Sequence, residues 1–181
     1  MNEAISLQVQ EPTAMTLATC TAEGKPSARI VLLKELNKEG LVFFTNYQGH
    51  KAKDILSNPY AAAILFWADL ERQVRVEGQV KKATAERSDS YFKSRPQLSK
   101  LGTWASPQSS VIPNRKYLEQ LMTMFNEKFK DKETERPANW GGYIIKPTLV
   151  EFWQGRESRL HDRIQYRLGN SDGWIIERLA P

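Results

Sequence analysis

The chain has 181 residues, 40% apolar and 26% charged, with a net charge of +5, enough for one sizeable core in an ordinary water-soluble domain. One cysteine excludes an internal disulfide framework and any multi-cysteine metal centre, and two histidines far apart, His50 and His161, offer no zinc or iron site. No apolar run approaches the ~20 residues of a membrane helix and no signal pattern opens the chain, so a cytosolic protein without a membrane partner is expected.

Residues 1–12 are polar and weakly patterned, the end of a helix closed by Pro12. Ala14–Cys20 reads as a strand, Glu23–Pro26 as a turn, and Ser27–Lys34 and Gly40–Thr45 as two more strands. The polar connection Glu35–Glu39 predicts that the last two pair as an antiparallel hairpin. Arg29 and Lys34 bracket the apolar IVLL run, and an undistorted strand sends residues five apart to opposite faces. Either both are solvent-facing strand ends, or one ligand lies across the strand end and touches both. Asn46–Asn58 predicts a loop and a helix stopped by Pro59, with His50, Lys51 and Lys53 in its first turns. Cations there oppose the helix macrodipole. An anion on the free backbone N–H groups reverses that penalty, which makes Lys51 the centre of a candidate phosphate site; the alternative is a weak, screened mismatch on a surface helix.

Tyr60–Trp67 predicts a central strand. Gln73–Val80 alternates, with Val74, Val76 and Gly78 on one side and Gln73, Arg75 and Glu77 on the other. Thr84 caps a helix running to about Ser94 and ended by Pro96. On it Tyr91 and Arg95 stand at i and i+4, and Ser99 follows in a loop. A phenol, a guanidinium and a hydroxyl at a helix end suit a second phosphate, or else form a surface stacking pair. Leu101–Ile112, holding Trp104, Gln108, Ser109 and Ser110, reads as irregular, and Asn114 opens a helix to about Lys130 whose stripe of Leu118, Leu121, Met122, Phe125 and Phe129 is packing. Strands follow at Tyr143–Lys146, Val150–Gln154, Ser158–Tyr166 and Trp174–Arg178, with a turn at Gly169–Gly173.

In the stretch FWQGRESRLHDR, Arg159, His161 and Arg163 recur at every second residue. A strand there points all three to one face, with Leu160 and Asp162 opposite. Such a row is either a solvated face beside carboxylates such as Glu157 or, next to Phe152 and Trp153, the wall of a pocket for a flat anion. Short strands with few helices and no βαβ alternation predict a mainly β, antiparallel barrel forming a single domain over residues 1–181. No GxGxxG or Walker-type phosphate loop is present. The positive charge fits phosphorylated small molecules; scattered among acids rather than gathered in a run, it disfavours nucleic acid as a partner.

The segments RIVLLK, FFTNYQGHK, LERQVRVEG, YFKSRPQLS, GTWASPQS, WGGY and FWQGRESRLHDR stand in order along the chain. With them the chain resembles the pyridoxine/pyridoxamine 5′-phosphate oxidase family from Pro12 to the C-terminal Arg178–Pro181. The resemblance implies a split β-barrel of antiparallel Greek-key type, assembled as a homodimer with FMN at the subunit interface. By position it implies FMN contacts from Arg29, Ile30, Val31, Leu32, Leu33, Lys34, Phe44, Thr45, His50, Lys51, Gln73, Gln108, Ser109, Trp153 and Arg163. It implies a small phosphorylated pyridine as substrate, its phosphate on Lys34, Tyr91, Arg95 and Ser99 and its ring end on Arg159, Leu160 and His161. Arg159 and His161 are the implied catalytic residues, and no metal is implied. The implied reaction oxidises pyridoxine or pyridoxamine 5′-phosphate to pyridoxal 5′-phosphate, with O₂ as acceptor and hydrogen peroxide as product.

Two features depart from the family pattern. His50 stands where the family has Arg, and an imidazole, with a reference pKa of about 6.5, carries little charge at about pH 7.5, so a weaker, pH-dependent phosphate contact is expected. The family also carries an N-terminal segment that folds over the substrate, and this chain starts just ahead of the first strand, so an absent or reduced lid is expected. Two other readings compete. A split-barrel flavin protein or flavin reductase acting on another substrate has no need of Tyr91, Arg95 and Ser99 together with Arg159 and His161. A basic nucleic-acid-binding barrel predicts a protein without flavin whose affinity falls steeply with salt.

Overall fold

The computed structural model describes residues 1–170 and 173–181. In chain order the elements are α1 (Asn2–Ser6), β1 (Ala14–Cys20), β2 (Pro26–Leu32), β3 (Glu35–Asn37), β4 (Gly40–Asn46), α2 (His50–Ser57), β5 (Tyr60–Trp67) and β6 (Arg72–Lys82). Then come α3 (Ala85–Ser94), α4 (Gln97–Ala105), α5 (Arg115–Lys128), β7 (Trp140–Gln154), β8 (Asp162–Leu168) and β9 (Trp174–Arg178). The strands form one antiparallel sheet in the order β2-β1-β5-β6-β7-β4-β3, and β8 and β9 extend from β7.

The expected hairpin between β2 and β4 is not formed. A turn at Gly24 (φ 83°) folds β2 back on β1, with Ala14 opposite Leu32 and Cys20 opposite Pro26. The polar stretch expected as a loop is itself the short strand β3, paired with β4 through the tight turn that follows Asn37. Closing the shorter loop costs less chain entropy than pairing β4 with β2. Beyond β2, the Leu33 N–H donates to Thr13 O at 2.8 Å and the Lys34 N–H to Val42 O at 2.8 Å. These bonds stitch the β1 side of the sheet to β4 and close the curl.

β7 is one strand where two were expected. Its first half pairs with β4 from Trp140 to Ile145, its second half with β8 from Leu149 to Gln154, and β6 runs along both. Pro147 sits where the β4 ladder has ended and the β8 ladder has not begun, opposite a register shift at Glu77/Gly78. Neither the β4 ladder nor the β8 ladder reaches the N–H that proline lacks. This fork splits the barrel. Its interior is filled by Met15, Leu17, Phe43, Ala63, Leu65, Val76, Tyr143 and Ile145, and α2 plugs one end with Ala52 and Ile55.

The segment expected to be irregular is helical up to Ala105. Leu101 and Ala105 are buried, and Trp104 packs on Phe125 of α5 and on Phe129, which caps that helix, at ring-centroid distances of 5.6 and 5.4 Å. Ser99 therefore lies in the first turn of a helix, not in a loop. The caps are as expected: Thr84 Oγ1 accepts from the Arg87 N–H at 3.2 Å and Asn114 Oδ1 from the Tyr117 N–H at 3.0 Å.

The strand expected from Ser158 begins only at Asp162. Ser158 (φ 56°) and Arg159 (φ 62°) adopt left-handed conformations in a tight turn, which breaks the pleat. Arg159, His161 and Arg163 are therefore not three teeth of one strand face. The turn expected at Gly169–Gly173 runs through residues 171 and 172, which lie outside the described residues. Among the described residues, no helix is long and apolar enough to cross a membrane.

Candidate functional site

β2, β4, α2 and the α3–α4 junction wall a cleft of about 650 Å³, the size of a small-molecule site. It brings together Ile30, Val31, Leu32, Lys34, Phe44, Thr45, Lys51, Tyr91, Arg95, Ser99 and Gln108 from the expected site. Lys34, Lys51 and Arg95 are cationic, and none of the described residues lining the cleft is a carboxylate. Lys51 is 8% exposed, and its Nζ donates to Thr45 Oγ1 and to Gln108 Oε1, both at 3.1 Å. The Thr45 hydroxyl closes the triangle by donating to Gln108 Oε1 at 2.9 Å. Burial, with the nearby charge of Arg29, pushes the Lys51 ammonium below the usual lysine range. A buried ammonium held by neutral oxygens alone calls for an anion, and the start of α2 beside it offers backbone N–H groups to the same charge.

At the other end, the Tyr91 ring stacks on Phe44 at 4.0 Å, and Phe44 lies 5.6 Å from Trp140. The Arg95 guanidinium sits 4.7 Å above the Trp140 ring and donates to Thr103 Oγ1 at 2.6 Å. Burial pushes its pKa below the usual arginine range. The two glycines after Trp140 leave room for aromatic side chains on the two sides of β7, Phe44 at Gly142 and Tyr47 at Gly141. A Cβ at Gly142 would stand 2.9 Å from the Phe44 ring, and one at Gly141 would strike the Tyr47 hydroxyl.

Arg29 stands behind this wall rather than in it. It donates to Thr19 Oγ1 at 2.6 Å and Ser27 Oγ at 2.7 Å, and lies 3.7 Å from the buried carboxylate of Asp54. His50, largely exposed, has its Nε2 3.5 Å from the same carboxylate one turn along α2. The Leu33 side chain is in the core and Ser109 is on an exposed loop in a left-handed conformation (φ 69°).

The remaining expected residues gather elsewhere. Gln73, Trp153 and Arg163 are directly opposite one another on β6, β7 and β8, so they form one row on one face of the sheet. The His161 ring packs against Trp153 at 4.8 Å, and its Nδ1 accepts from the Arg156 N–H at 3.1 Å. A backbone N–H only donates, so a neutral His161 carries its proton on Nε2. Arg163 donates to Glu151 through Nε (2.9 Å) and NH2 (3.2 Å), and through NH1 to Ala180 O (2.9 Å). Arg75 donates to the same carboxylate at 2.7 Å. The hydrogen bonds from Arg163 first, then Arg75, hold the Glu151 carboxyl below its usual range against burial. Arg159 and Leu160 are exposed on the turn.

This second cluster is well separated from the cleft. Ile30, Thr16, Ile64, Arg75 and Glu151 stand side by side across β2, β1, β5, β6 and β7. Four strand spacings put Glu151 roughly 19 Å along the sheet from the β2 wall. Sequence reasoning missed Trp140, Thr103, Asp54 and Glu151. Of these, Glu151 carried a signal: a lone acid inside the apolar run before Trp153. Among the described residues, no group of three or more His, Cys, Asp or Glu is placed to hold a metal ion.

A split antiparallel barrel with a cationic cleft, lined among the described residues by no carboxylate, defines a class: a barrel that takes phosphorylated ligands. Comparison with known proteins narrows it. The family model described as Pyridoxamine 5′-phosphate oxidase matches residues 1–126, and the one described as Pyridoxine 5′-phosphate oxidase C-terminal dimerisation region matches residues 140–181. The pyridoxine/pyridoxamine 5′-phosphate oxidase of Mannheimia succiniciproducens is 55% identical over 181 residues, covering 100% of this chain and 85% of that one. The protein of the same name from a Cyanothece species is 53% identical over 179 residues, covering 99% and 84%. The chain belongs to the pyridoxamine 5′-phosphate oxidase family, whose members are oxidoreductases using FMN.

Two solved structures agree with the fold. PhzG from Burkholderia lata, in complex with tetrahydrophenazine-1-carboxylic acid, superposes with a TM-score of 0.94 at 26% identity, covering 99% of this chain and 88% of that one. A pyridoxamine 5′-phosphate oxidase-related, FMN binding protein from Nostoc punctiforme superposes at 0.79 with 16% identity, covering 99% and 94%, a likeness of fold alone. The residues present fit FMN. The buried Lys51 with its neutral partners asks for a phosphate, and the cleft is large enough for more than that phosphate alone.

Proposed function

We propose that the chain, folding as one domain over residues 1–181, is an FMN-dependent oxidase of pyridoxine and pyridoxamine 5′-phosphate. Pyridoxal 5′-phosphate and hydrogen peroxide are the products, O₂ the acceptor, and a homodimer with its clefts at the subunit interface the working form. One observation carries the reading: the cleft has two cationic ends, Lys51 at one and Arg95 at the other, and among the described residues that line it there is no carboxylate. Two phosphates, one from the cofactor and one from the substrate, satisfy both ends. A barrel that only stores or reduces flavin has no use for the Arg95 end.

Lys51, supported by Thr45 and Gln108, holds the cofactor phosphate at the start of α2, with Arg29 behind it and His50 beside it. When bound, FMN supplies the two-electron acceptor for the oxidation at the 4′ carbon. Lys34, Tyr91, Arg95 and Ser99 hold the substrate phosphate and so set where the ring lies. The cluster of Gln73, Trp153, Arg163, Arg159 and His161 covers the open side of the cleft of a second copy. The match of residues 140–181 to a dimerisation region supports this, as does the exposed apolar face between the two clusters, with Ile30 63% and Phe66 58% exposed. Arg159 brings a fixed positive charge to the 4′ oxygen as negative charge develops there. With its Nδ1 occupied by the Arg156 N–H, neutral His161 presents an Nε2–H donor and no free lone pair, so it binds an oxygen and does not remove a proton.

The test is the absorption spectrum of the purified protein, followed by peroxide release on addition of pyridoxine 5′-phosphate. A flavin spectrum and stoichiometric peroxide are expected, and Lys51→Met should lose the flavin first. A protein that takes up no FMN, or an FMN-loaded protein that releases no peroxide with either substrate, overturns the proposal.

A further inference from the structure

Arg95 and Ser99 belong to different helices. Arg95 closes α3, and Ser99 lies in the first turn of α4 beyond the intervening Pro96. Nothing in the covalent chain fixes the guanidinium relative to that turn, because an arginine side chain has several free torsions. One side chain joins them. The Thr103 hydroxyl accepts from Arg95 NH1 at 2.6 Å and donates to Ser99 O at 2.9 Å. A hydroxyl has a single proton, so the direction of this relay is set: Arg95 to Thr103 to the Ser99 carbonyl. Thr103 lines the cleft, and the flat face of the guanidinium rests over Trp140. Held on one edge by Thr103 and on one face by Trp140, the fork makes no other hydrogen bond among the described residues, so its remaining N–H groups can take a planar pair of acceptor oxygens. No carboxylate stands among the described residues lining the cleft to compete for them.

We propose that Thr103 is a positioning residue of the substrate-phosphate end, a strut that sets Arg95 at a fixed place relative to the first turn of α4 and so favours phosphorylated substrates. This rests on the oxidase reading above. Thr103→Val keeps the shape and removes the acceptor; the Arg95 fork then loses its edge support and swings among rotamers. Thr103→Ser keeps the hydroxyl and serves as the rescue.

The experiment compares FMN-loaded wild type, Thr103→Val and Thr103→Ser with pyridoxine 5′-phosphate and with unphosphorylated pyridoxine, and measures pyridoxal 5′-phosphate binding at equilibrium. For Thr103→Val, KM for the phosphorylated substrate and the Kd of pyridoxal 5′-phosphate should each rise about tenfold, the weight of one hydrogen bond to a charged group. Turnover at saturation, FMN affinity and kcat/KM for pyridoxine should stay within about twofold, and Thr103→Ser should stay close to wild type. A merely structural role would lower the melting temperature and damage both substrates alike, and that outcome overturns the proposal. So does an unchanged KM in Thr103→Val, or a Thr103→Ser variant as impaired as Thr103→Val. If the wild type oxidises neither substrate, the oxidase reading falls, and the pyridoxal 5′-phosphate binding decides the strut alone: an unchanged Kd, or no binding by wild type, ends it.

Discussion

Replacing Glu151 by Gln tests whether the second cluster is held together by one buried charge. Its side chain is 3% exposed and receives two hydrogen bonds from Arg163 and one from Arg75. Removing one partner of a fully buried ion pair costs about 3–5 kcal/mol. Here both arginine side chains are 30% exposed, so water recovers part of the loss. Gln also keeps one acceptor oxygen, and the expected loss is about 2 kcal/mol. For a chain of this length that is a fall of about 4–8 °C in melting temperature. The sign with pH follows from the direction of the Glu151 shift. Its carboxyl is held below the usual range in the folded state, so its contribution is present above the ordinary carboxyl value of about 4.3 and drains away as pH falls through the folded value. Thermal unfolding of the FMN-free protein, followed by circular dichroism from neutral to acid pH, should show the gap between wild type and E151Q closing in acid. FMN titration should show weaker binding as Arg163 loses its anchor. A variant melting within about 1 °C of wild type at neutral pH, with unchanged FMN affinity, refutes the reasoning.

Three further outcomes are expected. Gln places an amide donor near the Nε2 position of histidine, and Asn near Nδ1; His161→Gln should therefore retain turnover at least about tenfold better than His161→Asn, and nitrogen chemical shifts should show Nε2 protonated. Equal losses in the two variants, or a proton found on Nδ1, would remove the donor role. His50→Arg should tighten FMN, because a fixed guanidinium charge replaces the imidazole, and an unchanged dissociation constant takes His50 out of the phosphate's surroundings. Burial, aided by Tyr47, pushes the Tyr143 hydroxyl up to about 12, so its contribution is complete below about pH 10 and is lost as pH climbs toward the folded value. That loss is about 2 kcal/mol; urea midpoints measured from about pH 9 to 12 should fall less steeply in Tyr143→Phe, and parallel curves would count against it.

Much of the first cluster was legible because its signals are local. Thr84 capping α3, the i,i+4 pair Tyr91 and Arg95, and the cations at the start of α2 each follow from a short window of sequence. The strands β1 and β5 were legible to the residue for the same reason. What failed depended on distant partners. Pro147 reads as a strand end until β4 and β8 are seen to take opposite halves of β7. Gly102 hid the spacing of Leu101, Trp104 and Ala105, which becomes a helix when α5 covers it. The alternation of Arg159, His161 and Arg163 assumed an unbroken pleat, and two left-handed residues removed it. The row of Gln73, Trp153 and Arg163 spans three strands, and its register is not a property of any one of them.

The proposed centre, in which two remote patches of the same polypeptide meet across a pair of subunits, has a genetic consequence. A copy disabled by Lys51→Met still owns an intact β6–β8 patch, and a copy disabled by Arg159→Ala still owns an intact cleft. Mixed at random as pairs, the two inactive proteins should regenerate about a quarter of the original centres, all of them in the hybrid pairs. Lesions in the two patches should therefore complement each other between alleles, whereas both lesions on one polypeptide should not.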